Sequence, residues 1–193
     1  MRVTTWYLEL ISPPPAGVSA LPPGVRVDRT AAMSPEYARF LNGLVGGPWR
    51  WIDRLGWTRE QWADELAVAG TEFLIAYEDA QPQGFVHLRA QPHVEGSQVE
   101  IRYFGLVEGA IGRGLGRALL ERGVEAAWTL PDRHDLAPVR RVWLHTCSLD
   151  GPAALDNYRA RGFVVYDEQV TDEDVPDAPL GTWASTGGPL TRS

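Results

Sequence analysis

The sequence predicts one mixed α/β domain, in which a β-meander is flanked by about four helices. Its 193 residues are 44% hydrophobic and 22% charged, which suits a single core without disulfide or metal support. Three β-rich segments follow one another between residues 73 and 107, as in a meander. A glycine-rich turn and a segment with helical apolar spacing come next, and they add the helical part of the fold.

The first 24 residues are predicted to precede the core as an extra strand and a stiff loop. Residues 2–10 are rich in β-forming side chains and are expected to form an edge strand. Residues 12–24 contain five prolines, which favour an extended, stiff connection. An edge strand leaves backbone groups available to a neighbouring chain, so a homodimer through this strand is possible.

The core is predicted to span residues 25–166 and to begin with a short strand and two helices. Residues 25–27 alternate between apolar and polar side chains, as a strand does. Ser34 before a proline is a typical helix start, and a glycine pair ends that helix. Thr58 and Gln61 match a capping box, which opens a second helix.

Strands and helices alternate through the rest of the core. Strands are expected at residues 73–77, 85–90, 99–107, 142–147 and 163–166, and helices at residues 112–130 and 152–161. Residues 170–193 are acidic and rich in glycine and proline, so they are predicted to be a tail with at most one strand.

Charge and cysteine content restrict the class of partner and the compartment. The chain has 18 basic and 25 acidic residues, for a net charge of −7, so it lacks the positive field that nucleic acids require. Cys147 is the single cysteine, which rules out an intramolecular disulfide and favours the cytoplasm. No apolar run approaches the ~20 residues that cross a bilayer, and we expect neither a membrane nor a nucleic-acid partner.

The most informative segment is a glycine-rich turn that opens a helix. It reads Gly112-Arg113-Gly114-Leu115-Gly116-Arg117. Glycines let a backbone approach an anion closely, and the first N–H groups of a helix carry partial positive charge. The two guanidinium groups suit phosphate oxygens. The segment therefore indicates a pyrophosphate site, although glycines that serve only close helix packing give the same pattern.

Two other phosphate-binding motifs fit this turn poorly. A dinucleotide-binding fingerprint would need its third glycine at position 117, whereas the glycine stands at Gly116. That fingerprint also needs an acid at the end of the next strand, and Asp132 precedes the strand instead. A P-loop requires a lysine, and all 18 basic residues of this chain are arginines.

The turn resembles the acetyl-coenzyme A signature R/Q-x-x-G-x-G/A of the GNAT N-acetyltransferases, with Gly114 and Gly116 on its glycines. Ile111 departs from the usual first residue. The segment from Tyr158 to Phe163 is similar to the family's Y-x-x-x-G-F ending. The resemblance covers roughly residues 25–166 and includes the order of the elements. The Asn that often precedes the last helix is replaced by Gly151, while Asn157 lies beside the tyrosine.

The resemblance implies a mostly antiparallel, twisted sheet that splays where acetyl-coenzyme A (acetyl-CoA) binds. The strand of Glu100 would part from the strand of His145, and pantetheine would lie between them. The Phe104 N–H would polarise the thioester carbonyl, as an oxyanion donor does; an ordinary core strand is the alternative. The residues expected to contact acetyl-CoA are Phe104, Gly105, Leu106, Gly112, Arg113, Gly114, Leu115, Gly116, Arg117 and Asn157.

Three side chains are candidates for the proton transfers. Glu100 matches the strand glutamate that acts as base in some family members, and alternation along its strand would place Glu100, Arg102 and Phe104 on one face. An ion pair with Arg102 is the alternative role. His145 is the rival base, because imidazole titrates near neutral pH. Tyr158 matches the tyrosine proposed to protonate the leaving thiolate, and we expect it to act partly as a hydrogen-bond donor to sulfur.

Cys147 offers a second chemical alternative, whereas the histidines suggest no metal site. Cys147 is two residues from His145 and on the same strand face, so a cysteine acyl-enzyme is conceivable. A buried cysteine with ordinary packing is the preferred interpretation. The four histidines show no metal-ligand spacing, and no metal is expected.

An aromatic segment between the first two helices is the candidate acceptor site. In the GNAT fold this connection forms one wall of that site. The rings of Trp49 and Trp51, together with the Asp53 carboxylate, would hold a cationic amine by cation–π and charge contacts. The alternative is that these tryptophans fill the core beneath the loop.

The sequence therefore predicts an acetyl-CoA-dependent N-acetyltransferase that acts on the primary amine of a small molecule. The amine would attack the thioester directly in a ternary complex. The alternative is a non-catalytic acyl-CoA-binding regulatory domain, because Ile111 departs from the signature and two candidate bases compete.

Overall fold

The computed structural model describes residues 1–176 and contains one seven-stranded sheet. The strands are β1 (Arg2–Leu10), β2 (Val25–Thr30), β3 (Glu72–Glu78), β4 (Gln81–His93), β5 (Gly96–Leu106), β6 (Val139–Cys147) and β7 (Val164–Asp172). Their order is β2-β3-β4-β5-β6-β1-β7. Neighbouring strands are antiparallel, with the exception of the parallel β5–β6 pair. The expected mostly antiparallel sheet is confirmed. The predicted tail from residue 170 is strand as far as Asp172, and its residues 177–193 lie outside the described part.

Four α-helices accompany the sheet: α1 (Pro35–Gly46), α2 (Arg59–Leu66), α3 (Leu115–Trp128) and α4 (Ala154–Arg159). The Ser34 hydroxyl accepts the Tyr37 N–H at the start of α1, and Thr58 forms a complete capping box with Gln61 at the start of α2. Both predicted helix starts are therefore confirmed. Within residues 1–176, none of these helices has the length and apolar character needed to cross a bilayer.

The helices pack on opposite faces of the sheet, so two apolar clusters form. On one face, Leu115, Leu119 and Val124 of α3 pack against inward side chains of the strands, and Tyr158 of α4 joins them. On the other face, Leu41 of α1 and Trp62 of α2 cover Phe73 and Phe85. The centre of the sheet is thus buried on both faces. The carboxyl ends of β5 and β6, which separate from each other, remain open.

Strand β1 lies inside the sheet, and the prediction of an edge strand is wrong. It pairs with β6 on one side and with β7 on the other, both antiparallel. The side chains of Val3, Leu8 and Leu10 are buried, so the strand supplies core as well as backbone hydrogen bonds. Because both of its edges are occupied, β1 offers no free edge to a second chain, and the basis for a homodimer through this strand is lost.

A β-bulge in β5 changes the direction of its side chains. His87 of β4 is opposite Tyr103, and Leu88 is opposite Ile101, so Arg102 is the extra residue. An inserted residue shifts the alternation of the strand by one position. Phe104 accordingly packs in the α3 cluster, whereas Arg102 forms ion pairs with Glu100 and with Glu65 of α2. The prediction that Glu100, Arg102 and Phe104 share one face is therefore wrong.

The sheet separates between β5 and β6. The parallel pairing extends only from Ser97 to Glu100 on β5 and from Val139 to Trp143 on β6. Beyond this point, β5 continues to Leu106 with β4 as its strand partner, and β6 continues to Cys147 with β1. The two strands thus diverge toward their carboxyl ends, as the resemblance implied, and an unpaired edge of β5 faces the gap.

Candidate active site

A cleft of about 620 Å³ lies between the diverging ends of β5 and β6. Its lining comes from residues 49–54, residues 101–106, residues 111–117 and residues 145–158. These are the loop after α1, the end of β5, the start of α3, and the region from the end of β6 into α4. Most of the residues predicted to bind cofactor and substrate are therefore brought to one cavity.

The glycine-rich turn forms one end of the cleft. Gly112 and Gly114 both have φ of +81°, a conformation that favours glycine, and a Cβ at either position would meet no atom within 4 Å. No side chain caps the start of α3, so its first N–H groups remain available to an anion. Gly112, Gly114 and Gly116 line the cleft. Leu115 instead points into the core.

The two arginines of the turn differ in their contacts. Arg117 lines the cleft and donates from Nε to Glu121, one helical turn further along α3, at 2.9 Å. Arg113 donates from both terminal nitrogens to Glu78 at the end of β3, over 2.7 and 2.6 Å. Its guanidinium is directed to that carboxylate, and Arg113 is not among the described residues that line the cleft.

The end of β5 forms the wall against which pantetheine is expected. Phe104, Gly105 and Leu106 all line the cleft. A Cβ on Gly105 would lie 2.6 Å from Cγ1 of Val45 and 3.3 Å from the Trp51 ring. Position 105 therefore requires a glycine, because the backbone runs closely past α1 and the tryptophan.

Helix α4 brings Tyr158 and Asn157 to the opposite wall. The Tyr158 ring packs edge-on against Phe104, with 6.0 Å between the centroids. Its hydroxyl forms no hydrogen bond with any residue among 1–176. Burial, reinforced by the Asp150 carboxylate, raises the pKa of Tyr158 well above its usual range. The phenol is thus a protonated donor beside the cleft.

Of the two candidate bases, His145 lines the cleft and Glu100 lies behind it. The His145 side chain is 46% exposed, whereas Glu100 is 1% exposed. Glu100 Oε1 lies 4.0 Å from His145 Nδ1. Glu100 Oε2 accepts hydrogen bonds from Gln91 at 3.0 Å and from Arg102 at 2.9 Å. Of the two side chains, the imidazole is therefore the one that the cleft exposes.

Cys147 lines the cleft, two residues beyond His145. Burial and the nearby Asp150 carboxylate raise the pKa of its thiol. A cysteine nucleophile needs a lowered pKa, so the environment favours the packing role over an acyl-enzyme. Within residues 1–176, no group of three or more metal-binding side chains occurs.

Some tryptophans of the segment between α1 and α2 fill the core, and others line the cleft. Trp62 is buried in the α1–α2 cluster and Trp57 packs against it. Trp49 and Trp51 line the cleft, although the Trp51 ring is also wedged against Gly46 and Gly105. Trp51 thus combines a structural position with a surface that faces the cleft.

Asp53 lines the cleft together with two residues that the sequence analysis missed, Tyr103 and Arg54. Asp53 Oδ2 accepts a hydrogen bond from the Tyr103 hydroxyl and lies 3.2 Å from Arg54 Nε. The Arg54 guanidinium stacks over the Trp57 ring at 3.6 Å. Tyr103 is 50 residues from Asp53 in the sequence, and no spacing pattern connects it with the loop.

A buried ionic cluster supports this side of the cleft and was also missed. Glu65 of α2 is buried and forms ion pairs with Arg54, Arg89 and Arg102. Burying a carboxylate is costly unless it is paired. The three arginines provide that pairing, so Glu65 ties α2 and the preceding loop to β4 and β5.

Comparisons with known proteins agree with this fold. A family model for the acetyltransferase (GNAT) family matches residues 37–163. A comparison with curated proteins finds no match. Among solved structures, the chain is similar to a GCN5-related N-acetyltransferase from Sphaerobacter thermophilus, with 21% identity and a TM-score of 0.58. That alignment covers 87% of this chain and 50% of the other.

Two further structures are similar at low identity, which shows likeness of fold. One is a tandem GNAT protein from the clavulanic acid biosynthesis pathway, with 20% identity, a TM-score of 0.60, and coverage of 86% and 51%. The other is an aminoglycoside acetyltransferase from an uncultured soil metagenomic sample, in complex with sisomicin, with 14% identity, a TM-score of 0.57, and coverage of 72% and 87%.

The chain spans about half the length of the first two of these structures. The family model, by contrast, includes most of α1, the bulged strand β5, the glycine-rich turn and α4. It covers more than half of the 193 residues, and the chain therefore belongs to the acetyltransferase (GNAT) family.

Proposed function

We propose that this protein transfers the acetyl group of acetyl-CoA to the primary amine of a small molecule, by direct attack in a ternary complex. The observation that carries the proposal is the composition of one cleft. One cleft of about 620 Å³ is lined by an uncapped, glycine-rich helix start, a protonated tyrosine and an exposed histidine. A carboxylate adjoins the cleft behind that histidine. Such groups are required to bind a phosphorylated thioester and to transfer its acyl group.

The donor end of the cleft fits acetyl-CoA. Open space around Gly112 and Gly114 lets phosphate oxygens reach the backbone, and the N–H groups at the start of α3 favour negative charge. Arg117 adds a guanidinium at the same place. The unpaired edge of β5 near Phe104 offers backbone groups to pantetheine. When bound, acetyl-CoA supplies an activated acetyl group as a thioester.

His145 is proposed to take the proton from the amine. An alkylammonium has a pKa near ~10, so a base is needed to give a neutral nucleophile at physiological pH. His145 is favoured over Glu100 by its exposure in the cleft. Glu100 is assigned the supporting role, because its carboxylate lies behind Nδ1 and stabilises the imidazolium that forms.

Tyr158 is proposed to donate a hydrogen bond to the departing sulfur. Its raised pKa keeps the hydroxyl protonated, and a thiol with a pKa of ~8.5 leaves without a strong acid. Asn157, on the same wall, is proposed to contact the cofactor. On the acceptor side, Trp49, Trp51 and Asp53 are proposed to surround the amine.

A small molecule in the cytoplasm is the proposed context of this reaction. The net charge of −7 disfavours a nucleic-acid partner. One cysteine in the chain suits a reducing compartment.

Amine-dependent release of free thiol from acetyl-CoA tests the proposal. A panel of amino acids, polyamines, aminoglycosides and peptides should contain at least one amine that accelerates release above the rate with acetyl-CoA alone. Calorimetry on the same sample should detect acetyl-CoA binding. Binding without release across the whole panel would favour the non-catalytic acyl-CoA-binding alternative.

A further inference from the structure

We propose that the acceptor amine carries a carboxylate, as an α-amino acid does, and that Arg102 binds this carboxylate. The inference rests on the proposed function and specifies its substrate class. It starts from two arginines that line the cleft, Arg54 and Arg102; Arg102 pairs with Glu100, the carboxylate beside the proposed base.

Arg102 presents a fixed, partly unsatisfied guanidinium to the cleft. It is the bulged residue of β5, and its side chain is 22% exposed. Nη1 donates to Glu100 at 2.9 Å, and Nε is paired with Glu65. Nη2 donates no hydrogen bond to any residue among 1–176. The carboxylates of Glu65 and Glu100 thus fix the Arg102 guanidinium through Nε and Nη1, while Nη2 remains as a donor for a ligand.

Arg54 lies next to this position and is buried almost completely, with 5% of the side chain exposed. It donates from Nε to the Tyr103 hydroxyl at 2.9 Å. Its Nη1 is buried and has no hydrogen-bond partner within residues 1–176. An unsatisfied, buried charged donor is costly. Asp53 and Glu65 pair with the other nitrogens of this guanidinium, and a ligand carboxylate at this end of the cleft would add negative charge near Nη1.

The position of His145 gives the spacing between amine and carboxylate. Arg102 Nη1 lies 2.9 Å from one oxygen of the Glu100 carboxylate, and His145 Nδ1 lies 4.0 Å from the other. The two cleft-facing groups are therefore near neighbours. An α-amino acid carries its amine and its carboxylate on a single carbon, so its amine can approach His145 while its carboxylate meets Arg102.

The charges around the acceptor end favour an anionic group over a second cation. Among the described residues that line the cleft, four arginines, Arg50, Arg54, Arg102 and Arg117, outnumber two carboxylates, Asp53 and Asp150. Of these two carboxylates, Asp53 already has Oδ2 engaged by Tyr103 and Arg54, and Asp150 Oδ2 accepts hydrogen bonds from Thr146 and Cys147. Arg102 Nη2 is a charged donor without a hydrogen-bond partner among residues 1–176, and it favours a carboxylate.

The first test compares three acceptors of one shape on the wild-type protein: phenylalanine, phenylalaninamide and phenethylamine. A charge-assisted hydrogen bond supports a preference of about 10- to 100-fold in kcat/KM for the carboxylate-bearing acceptor. Equal or lower kcat/KM for phenylalanine would overturn the inference and leave the proposed function intact. If acetyl-CoA binds but none of the three compounds, nor any amine of the broader panel, releases thiol, both proposals fail.

The second test uses Arg102→Gln, with Arg89→Gln as the matched control. Arg89 pairs with the same Glu65, at 3.6 Å, but does not line the cleft. The ratio of kcat/KM for phenylalanine over phenylalaninamide should fall about 10- to 100-fold in Arg102→Gln and stay unchanged in Arg89→Gln. A ratio preserved in Arg102→Gln overturns the assignment. If that variant does not fold, Arg102→Lys replaces it, and a ratio unchanged by this loss of fork geometry counts against the proposal.

Discussion

The carboxylate of Glu100 lies behind the imidazole of His145, with 4.0 Å between Oε1 and Nδ1. Gln91 and Arg102 hold the other carboxylate oxygen by hydrogen bonds. The two residues come from strands that pair only before the sheet divides, so their contact lies at the base of the cleft. Substitution of each residue can therefore test which of the two is the base and which supports it.

His145→Gln should lower kcat near neutral pH by about 10²–10⁴-fold, the usual contribution of a positioned base. The rate should recover as pH rises, because more of the amine is then neutral without assistance. Acetyl-CoA affinity, measured by calorimetry, should stay unchanged. His93→Gln, in the β4–β5 hairpin, is the control and should behave as the wild type.

Glu100→Gln should lower the same rate by a smaller factor than His145→Gln, because it removes a supporting charge and not the group that meets the amine. Steady-state kinetics of both variants at several pH values provide the comparison. A near-normal His145→Gln enzyme beside an inactive, well-folded Glu100→Gln enzyme would make Glu100 the base, acting through water.

Gly114→Glu should abolish acetyl-CoA binding. Its carboxylate would extend from the start of α3 into the place proposed for phosphate oxygens, and its backbone would be strained at φ +81°. Gly17→Glu is a control for the strain, because Gly17 also has positive φ and open space around it, away from the cleft. Calorimetry that shows wild-type affinity in Gly114→Glu would move the cofactor site elsewhere.

Tyr158→Phe should reduce kcat by about 10- to 100-fold, as expected for loss of one hydrogen bond to a developing charge. The raised pKa of Tyr158 predicts that the hydroxyl stays protonated at every pH at which the protein is assayed. The pH–rate profile of the variant should therefore be lower but of unchanged shape. A basic limb below about pH 10 that disappears in Tyr158→Phe would show that the phenol titrates instead.

His87→Phe should make the fold less sensitive to acid. His87 stacks on Phe73 with 4.2 Å between the centroids, and its Nε2 is buried without a hydrogen-bond partner in residues 1–176. Burial, and then Arg102, Arg54 and Arg89, holds the pKa of His87 well below its usual range. The unfolded chain therefore binds a proton below about pH 6.5 that the folded chain rejects, and stability falls with decreasing pH.

Melting temperatures of the wild type and His87→Phe at pH 7 and pH 5 check this prediction. The decrease between the two pH values should be smaller in the variant, whatever its absolute stability. An equal decrease in both proteins would assign the acid sensitivity to other groups, such as Glu72, whose pKa is lowered in the fold by Arg133 and His134 against the opposing effect of burial.

The amino-acid sequence by itself determined the features that depend on neighbouring residues. Ser34 and Thr58 start helices because their hydroxyls reach N–H groups three residues away. Gly112 and Gly114 form the turn because glycine tolerates positive φ. Such signals act over one helical turn, so they can be identified without any knowledge of the fold.

Tertiary structure alone decided which distant residues meet. The place of β1 between β6 and β7 depends on pairing between residues more than 130 positions apart, and hydropathy alone does not distinguish an edge strand from an inner one. The bulge at Arg102 depends on the register with β4, and it turns Phe104 away from Glu100. The pairing of Arg102 with Glu65 follows from that bulge. Backbone pairing across the sheet, which no local pattern encodes, therefore determined which side chains line the cleft.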